Sequence, residues 1–264
     1  MSLQTPKTPF PDENIFIIYH QITELYFKLI LQAIELVRDK EDLDAAYFIR
    51  QMKRVNRYFD ILISSFDVMI EGMDRDEFLK FRMSLLPASG FQSAQYRMIE
   101  LVSTDLKNLV HHTKRAGMSP GDSVEELYAK LYWKSGATEL ATGKKTLTLR
   151  QFETKYSKRF IRLAKKLVDK NLNKCYEGLS PLEQQNEELI EALKQHDLNA
   201  NVRWPLSHFR SAVRYLDRKP ETIEATGGTN WQKYLPPMNQ RIIFYPAIWT
   251  TEELKNWGKS VKFK

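Results

Sequence analysis

FIIYHQITELYFKLILQAIELV, residues 16–37, decides the architecture of this chain. Its apolar residues recur at spacings of three and four, the period of an α-helix and not the two-residue alternation of a strand. They also spread nearly all the way round the helical wheel, so the helix is expected at the centre, with neighbours on several sides. Pro6, Pro9 and Pro11 hold the preceding residues extended, and Asp12 is a good N-cap, so the helix is expected over residues 12–40.

Outward from that segment the same period continues. A second helix is expected over residues 43–70, with Phe48, Met52, Val55, Phe59, Leu62, Phe66 and Met69 on its apolar face. A third is expected from Asp74 to Leu86, ended by Pro87-Ala88-Ser89-Gly90, with Ser89 placed to cap the next, over residues 90–109. Residues 123–133 and 148–167 read as helices. Ser180-Pro181-Leu182-Glu183 is a capping box with proline at the first helical position, starting a helix that reaches about Gln195. Another is expected over residues 198–216, where Pro205 marks either a kink or the true first turn. The fold class expected is all-α. One helical domain spans residues 1–264, with an extended segment at 1–11 and an irregular C-terminal loop and tail at 219–264.

Composition agrees with this. Only 10 glycines and 11 prolines occur in 264 residues, too few for a turn-rich all-β protein, and 42% of the residues are hydrophobic, enough for a sizeable core. The one cysteine, Cys175, excludes an intramolecular disulfide and thiolate metal clusters, and a reducing, cytoplasmic setting is expected. No basic segment followed by an apolar one opens the chain, and no apolar run approaches the roughly 20 residues a bilayer needs. The net charge of +7 comes from 40 basic residues mixed with 33 acidic ones, without a long single-sign run. Neither nucleic acid nor a membrane is therefore expected as partner.

Several residues are out of place in a plain helical bundle. His20 lies in the most apolar helix, on one face with Phe16, Glu24 and Phe27. Spacing alone reads it as a core histidine with a hydrogen-bond partner or as a site residue. Arg82 follows Phe78 by four residues, and an arginine on an aromatic face can grip a carboxylate through two parallel bonds, or simply form a salt bridge. His208 lies four residues after Trp204 and four before Ala212. Imidazole is the usual axial ligand of haem iron, and a small neighbour such as Ala212 leaves room for a flat macrocycle, although a core histidine has the same spacing. In Thr226-Gly227-Gly228-Thr229 the paired glycines let backbone N–H groups approach a bound group, as they also would in a flexible turn. No zinc spacing, HExxH, GxSxG or phosphate-binding loop occurs.

Together these pieces resemble one family. Phe16-Ile-Ile-Tyr-His-Gln-Ile-Thr-Glu-Leu-Tyr-Phe-Lys28 resembles the FIxxHQxxELWFK motif of tryptophan 2,3-dioxygenases, and Phe81-Arg82 with Leu86–Arg97 resembles their FR…PASGFQSxQxR motif. Trp204, His208 and Arg214 followed by Thr226-Gly227-Gly228 are similar to the haem-ligand helix and its glycine loop, and Phe244–Trp249 to the FPxLW ending. The resemblance implies a helical bundle of the tryptophan dioxygenase type enclosing a b-type haem, ferrous when active, with dioxygen as co-substrate and a homotetramer or dimer as the assembly. His208 would be the axial iron ligand, with Trp204, Ala212 and Ser89 beside the haem. His20 would face the indole N–H as the catalytic residue. Phe16, Ile17, Ile18, Tyr19 and Phe78 would line the substrate pocket, Arg82 would hold the substrate carboxylate, and Ser89, Thr226 and Gly227 would complete it.

The sequence departs from the pattern in three places. Only about a dozen residues precede the first helix, where the family carries an arm that reaches a neighbouring subunit. Phe78 stands where tyrosine is frequent, and Trp231 is bulky for the loop that closes over substrate. The expected activity is cleavage of the indole C2–C3 bond of L-tryptophan or a close indole to an N-formylkynurenine-type product. The alternatives are a haem oxygenase or hydroxylase of another aromatic substrate, and a non-catalytic helical binding protein.

Overall fold

A computed structural model describes residues 4–85, 92–138, 144–215 and 236–259. Among these residues the regular structure is helical, and the only β-type pairs are isolated bridges, Val110 with Leu131 and Thr138 with Lys145. The all-α expectation holds.

Helix α1, Asp12–Arg38, is central as expected: it packs against α2 (Ala45–Ser65), α3 (Asp67–Ile70), α4 (Arg75–Phe81), α5 (Ala94–Ser103) and α9 (Leu172–Glu177). Its start differs from the expectation. Pro11 is the N-cap and makes no side-chain capping bond, while Asp12 is already helical and accepts a hydrogen bond from Asp74 N at 2.6 Å. Glu13 supplies the local order instead, accepting from Lys7 N at 2.9 Å and Thr8 N at 2.7 Å. These bonds hold the Glu13 carboxyl below its usual pKa even though its burial acts in the opposite sense as the largest single influence. Its other end stops at Arg38, short of the expected Lys40.

The second expected helix ends early, at Ser65, and resumes as α3; the third is α4 followed by a 3-10 turn, Arg82–Leu85. Ser93, not Ser89, caps α5. The 123–133 segment divides into α6 (Val124–Ala129) and α7 (Tyr132–Gly136), and α8 covers Leu147–Lys166. The capping box at Ser180 is present, but it opens only a single turn, α10 (Pro181–Gln184).

The largest correction concerns the last third. Where a break was expected near Gln195, α11 (Glu187–Leu198) runs through a π-helical turn, Asn199–Arg203, directly into α12 (Trp204–Tyr215). Pro205 explains the wide turn. A π-helix pairs an N–H with the carbonyl five residues back, so the N–H that proline lacks would have bonded Ala200 O. That orphaned carbonyl is instead taken by the Tyr96 hydroxyl, which donates to it at 2.6 Å. Tyr96 is buried, so Tyr96→Phe leaves a buried carbonyl unpaired and is expected to cost ~1–3 kcal/mol of unfolding free energy, read by urea denaturation.

The C-terminal segment is less irregular than expected. It contains α13 (Pro237–Gln240), a 3-10 turn at Pro246–Ile248, and α14 (Thr251–Lys255), which starts with a capping box at Thr250.

Candidate functional site

Helices α1 and α12 bring His20 and His208 to one place. The π-turn delivers α12 with Trp204 buried beneath His208, the two rings 4.6 Å apart and edge-on. Phe66, at the junction of α2 and α3, meets Trp204 at 5.2 Å and His208 at 4.7 Å. On its other side Phe66 meets Tyr19 at 5.6 Å, and Tyr19 meets its neighbour His20 at 6.1 Å. A continuous row of edge-on rings therefore joins the two histidines.

Both imidazoles are held in the same way. His208 Nδ1 lies 3.2 Å from Trp204 O, and His20 Nδ1 lies 2.7 Å from Phe16 O, each one helical turn back. A carbonyl only accepts, so each Nδ1 carries the proton and each Nε2 keeps its lone pair. Burial lowers the pKa of both rings, that of His208 to about 4, with the nearby His20 and Arg97 disfavouring its charge further. The Trp204 carbonyl acts in the opposite sense and does not prevail. His20 is exposed and His208 half-buried, yet both are desolvated by the atoms packed around them. Accessibility and desolvation together describe the wall of a recess. The lowered pKa keeps His208 neutral at pH 5.5, and any stability this confers is present above pH 6.5 and lost as pH falls towards 4. Ring-proton NMR of His208 is expected to show the neutral form at pH 5.5; a midpoint near 6.5 would contradict this environment.

The remaining expected site residues divide into groups. Phe16 is brought to the recess, lying against His20 with ring centroids 4.1 Å apart and planes 30° from parallel. Phe78 meets Phe16 at 6.3 Å but is closer to Tyr215, at 4.7 Å, within a packed aromatic cluster. Arg82 is half-buried at the start of the 3-10 turn that follows α4, next in sequence to Phe81, whose ring meets Phe16 edge-on at 6.1 Å. Ile17 and Tyr19 are buried against the core. Ile18 is exposed, and its position two helical residues from His20 places it roughly 160° round the helix from that ring. Ala212 is half-buried one turn beyond His208. Ser89, Thr226, Gly227 and Trp231 lie outside the described residues.

Sequence reasoning missed several supports. Gln95 Nε2 donates to Glu24 O at 2.8 Å and to its carboxylate at 2.6 Å, joining the two most specific motifs. Arg97 is buried, pairs with Glu100 at 2.9 Å, donates to the Tyr132 hydroxyl at 3.0 Å and lies 4.7 Å from the Tyr96 ring. Burial pushes the Glu100 carboxyl up to about 7, with Arg97 and Tyr132 opposing. The i, i+3 spacing of Arg97 and Glu100 was a usable signal; the Gln95–Glu24 pair, seventy-one residues apart, had none.

The arrangement suits a flat, iron-centred macrocycle. It offers a neutral imidazole with a free Nε2, an aromatic floor and a second neutral imidazole nearby, and neutral imidazole is the ligating form. Among the described residues no cluster of three or more His, Cys, Asp or Glu side chains could hold a bare metal ion, and no helix is long and apolar enough to cross a membrane.

The profile of the tryptophan 2,3-dioxygenase family matches residues 1–127. Tryptophan 2,3-dioxygenase 2 of Ralstonia nicotianae is 43% identical over 97 residues, 34% of this chain and 26% of the relative. Tryptophan 2,3-dioxygenase of a Ruegeria species is 40% identical over 97 residues, 36% of this chain and 34% of the relative. The matched stretch spans about a quarter to a third of the length of these curated relatives.

Proposed function

We propose that the chain, whose residues 1–127 match the tryptophan 2,3-dioxygenase family, is a haem-dependent dioxygenase opening the indole ring of L-tryptophan or a close indole. The observation that carries the reading is the pair of neutral imidazoles, His20 and His208, each with Nδ1 held by a backbone carbonyl and Nε2 left free.

His208 would hold haem b through its Nε2. The Trp204 carbonyl on Nδ1 fixes the ring orientation and raises the basicity of the ligating nitrogen. When bound, ferrous haem would supply the dioxygen activation needed to open the indole ring to an N-formylkynurenine-type product. His20 positions the substrate: its free Nε2 accepts a hydrogen bond from the indole N–H, and Phe16 stacks on the face of its ring. The low pKa of His20 keeps it an acceptor at neutral pH. Arg82 binds the substrate carboxylate in this reading, as a charge-assisted clamp at the edge of the Phe16 face.

The protein is read as one helical domain, cytoplasmic and assembled as a homo-oligomer, with a small aromatic amino acid as substrate. A haem oxygenase of another aromatic substrate is the second reading, favoured by Phe78, which packs against Tyr215 and brings no hydroxyl to the recess. Turnover separates the two. Ferrous, haem-loaded protein is expected to convert L-tryptophan with rising N-formylkynurenine absorbance; haem-loaded protein without that product would leave the second reading standing.

A further inference from the structure

The two ends of the proposed substrate pocket come from different elements. Phe16 and His20 stand on α1, whereas Arg82 opens the 3-10 turn Arg82–Leu85 that follows α4. A single 3-10 turn has poor hydrogen-bond geometry, and no residue of this one is buried, so its place relative to α1 depends on contacts from outside it. Glu13 supplies such a contact. It lies nearly two turns before His20 on the same face of α1 and is only 2% exposed. One carboxylate oxygen accepts from Ser84 Oγ at 3.3 Å as well as from Lys7 N, and the other accepts from Thr8 Oγ1 at 2.5 Å as well as from Thr8 N. Lys7 Nζ in turn donates to Ser84 O at 3.1 Å. The side chain and the carbonyl of Ser84, two residues beyond Arg82, are therefore both held by the segment that Glu13 orders. Asp12 ties α1 to the start of α4 in the same way, accepting from Asp74 N at 2.6 Å and donating its own N–H to Glu77 Oε2 at 3.4 Å.

An acidic residue in the first turn of a helix often serves only the helix, through its dipole and its free N–H groups. Glu13 is placed differently: its four donors belong to Lys7, Thr8 and Ser84, and none to α1 itself. We infer that Glu13 is a positioning residue for substrate binding, fixing the turn that carries Arg82 against the helix that carries His20. It thereby sets the span between the carboxylate clamp and the acceptor of the indole N–H. The inference rests on the substrate reading above. An amino-acid ligand must meet both groups at once, so a loosened turn weakens a ligand that has a carboxylate and spares one that lacks it.

The test uses the full chain without and with haem. In haem-free protein, amide exchange of residues 82–85 is expected to quicken at least ~10-fold in Glu13→Gln and in Ser84→Ala, with α2 unchanged. In haem-loaded protein, L-tryptophan titrated against the Soret spectrum is expected to bind both variants at least ~10-fold more weakly than wild type. Tryptamine, which has no carboxylate, is expected to bind all three alike. Ser84→Ala keeps the Lys7 and Thr8 bonds to Glu13, so it separates the tie to the turn from local order at the start of α1, and it serves alone if Glu13→Gln fails to fold. Exchange unmoved by Ser84→Ala, or tryptamine affinity falling together with that of L-tryptophan, would overturn the positioning role. A wild-type spectrum indifferent to L-tryptophan would instead overturn the substrate reading on which the role depends.

Discussion

His208→Ala protein is expected to lose axial ligation and with it the wild-type Soret spectrum after haem is added, while His20→Ala protein keeps that spectrum. The asymmetry follows from geometry. His208 is set by three contacts that leave only Nε2 to act: the Trp204 carbonyl on Nδ1, the Trp204 ring edge-on at 4.6 Å and the Phe66 ring at 4.7 Å. Iron prefers an imidazole already neutral, and a pKa lowered to about 4 means no proton competes at neutral pH. Removing the ring deletes the axial bond and also strips two aromatic side chains of a partner. That packing loss is about 1 kcal/mol or slightly more and should not unfold the helix. Circular dichroism controls for it. His20 is held by the Phe16 carbonyl and stacked against the Phe16 ring, so its loss is expected in turnover. If His20→Ala abolished the Soret band and His208→Ala spared it, the two roles would be exchanged.

Asp197→Ala is expected to destabilise the protein by ~4 kcal/mol or more in urea denaturation, the largest single-residue effect outside the core. Asp197 is fully buried. Its carboxylate accepts from Asn201 Nδ2 at 2.7 Å, Phe244 N at 2.8 Å, Trp249 Nε1 at 3.0 Å and Tyr245 N at 3.2 Å. Burial pushes its pKa up to about 6, and the four donors pull the other way. Alanine leaves the Asn201, Phe244 and Tyr245 donors buried and unpaired, each at ~1–3 kcal/mol, and the half-buried Trp249 Nε1 without its acceptor, offset in part by release of the C-terminal segment to water. Asparagine keeps one acceptor oxygen and should fall between. The carboxylate also joins α11 to Phe244–Trp249, next to the turn that delivers Trp204 and His208, so a haem-binding defect should accompany the loss. A change under about 1 kcal/mol would show that these donors find other partners.

Legibility in the sequence followed the range of the interaction. The central helix was readable because its period is local, and so was the capping box at Ser180. The candidate site was partly readable: His20, Phe16 and His208 stand out as polar or aromatic residues at helical spacing, and the structure gathers them. The continuity of α11 and α12 was not readable. Pro205 signals a helix end by local rules, and the compensation comes from Tyr96, more than a hundred residues away. A motif also gives no side: it groups Ile18 with His20 in sequence, whereas a helix turns near neighbours to different faces. Asp197 carried no local signal, since three of its four donors lie nearly fifty residues or more downstream.

The central claim is that the recess between α1 and α12 holds haem with an indole amino acid beside it. The most direct test is the absorption spectrum of the haem-reconstituted, ferrous protein recorded with and without L-tryptophan. The expected result is one haem taken up per chain, a Soret band of histidine-ligated ferrous haem, and a spectrum perturbed by L-tryptophan in a saturable way. Apoprotein that takes up no haem, with its helical circular dichroism intact, would contradict the account.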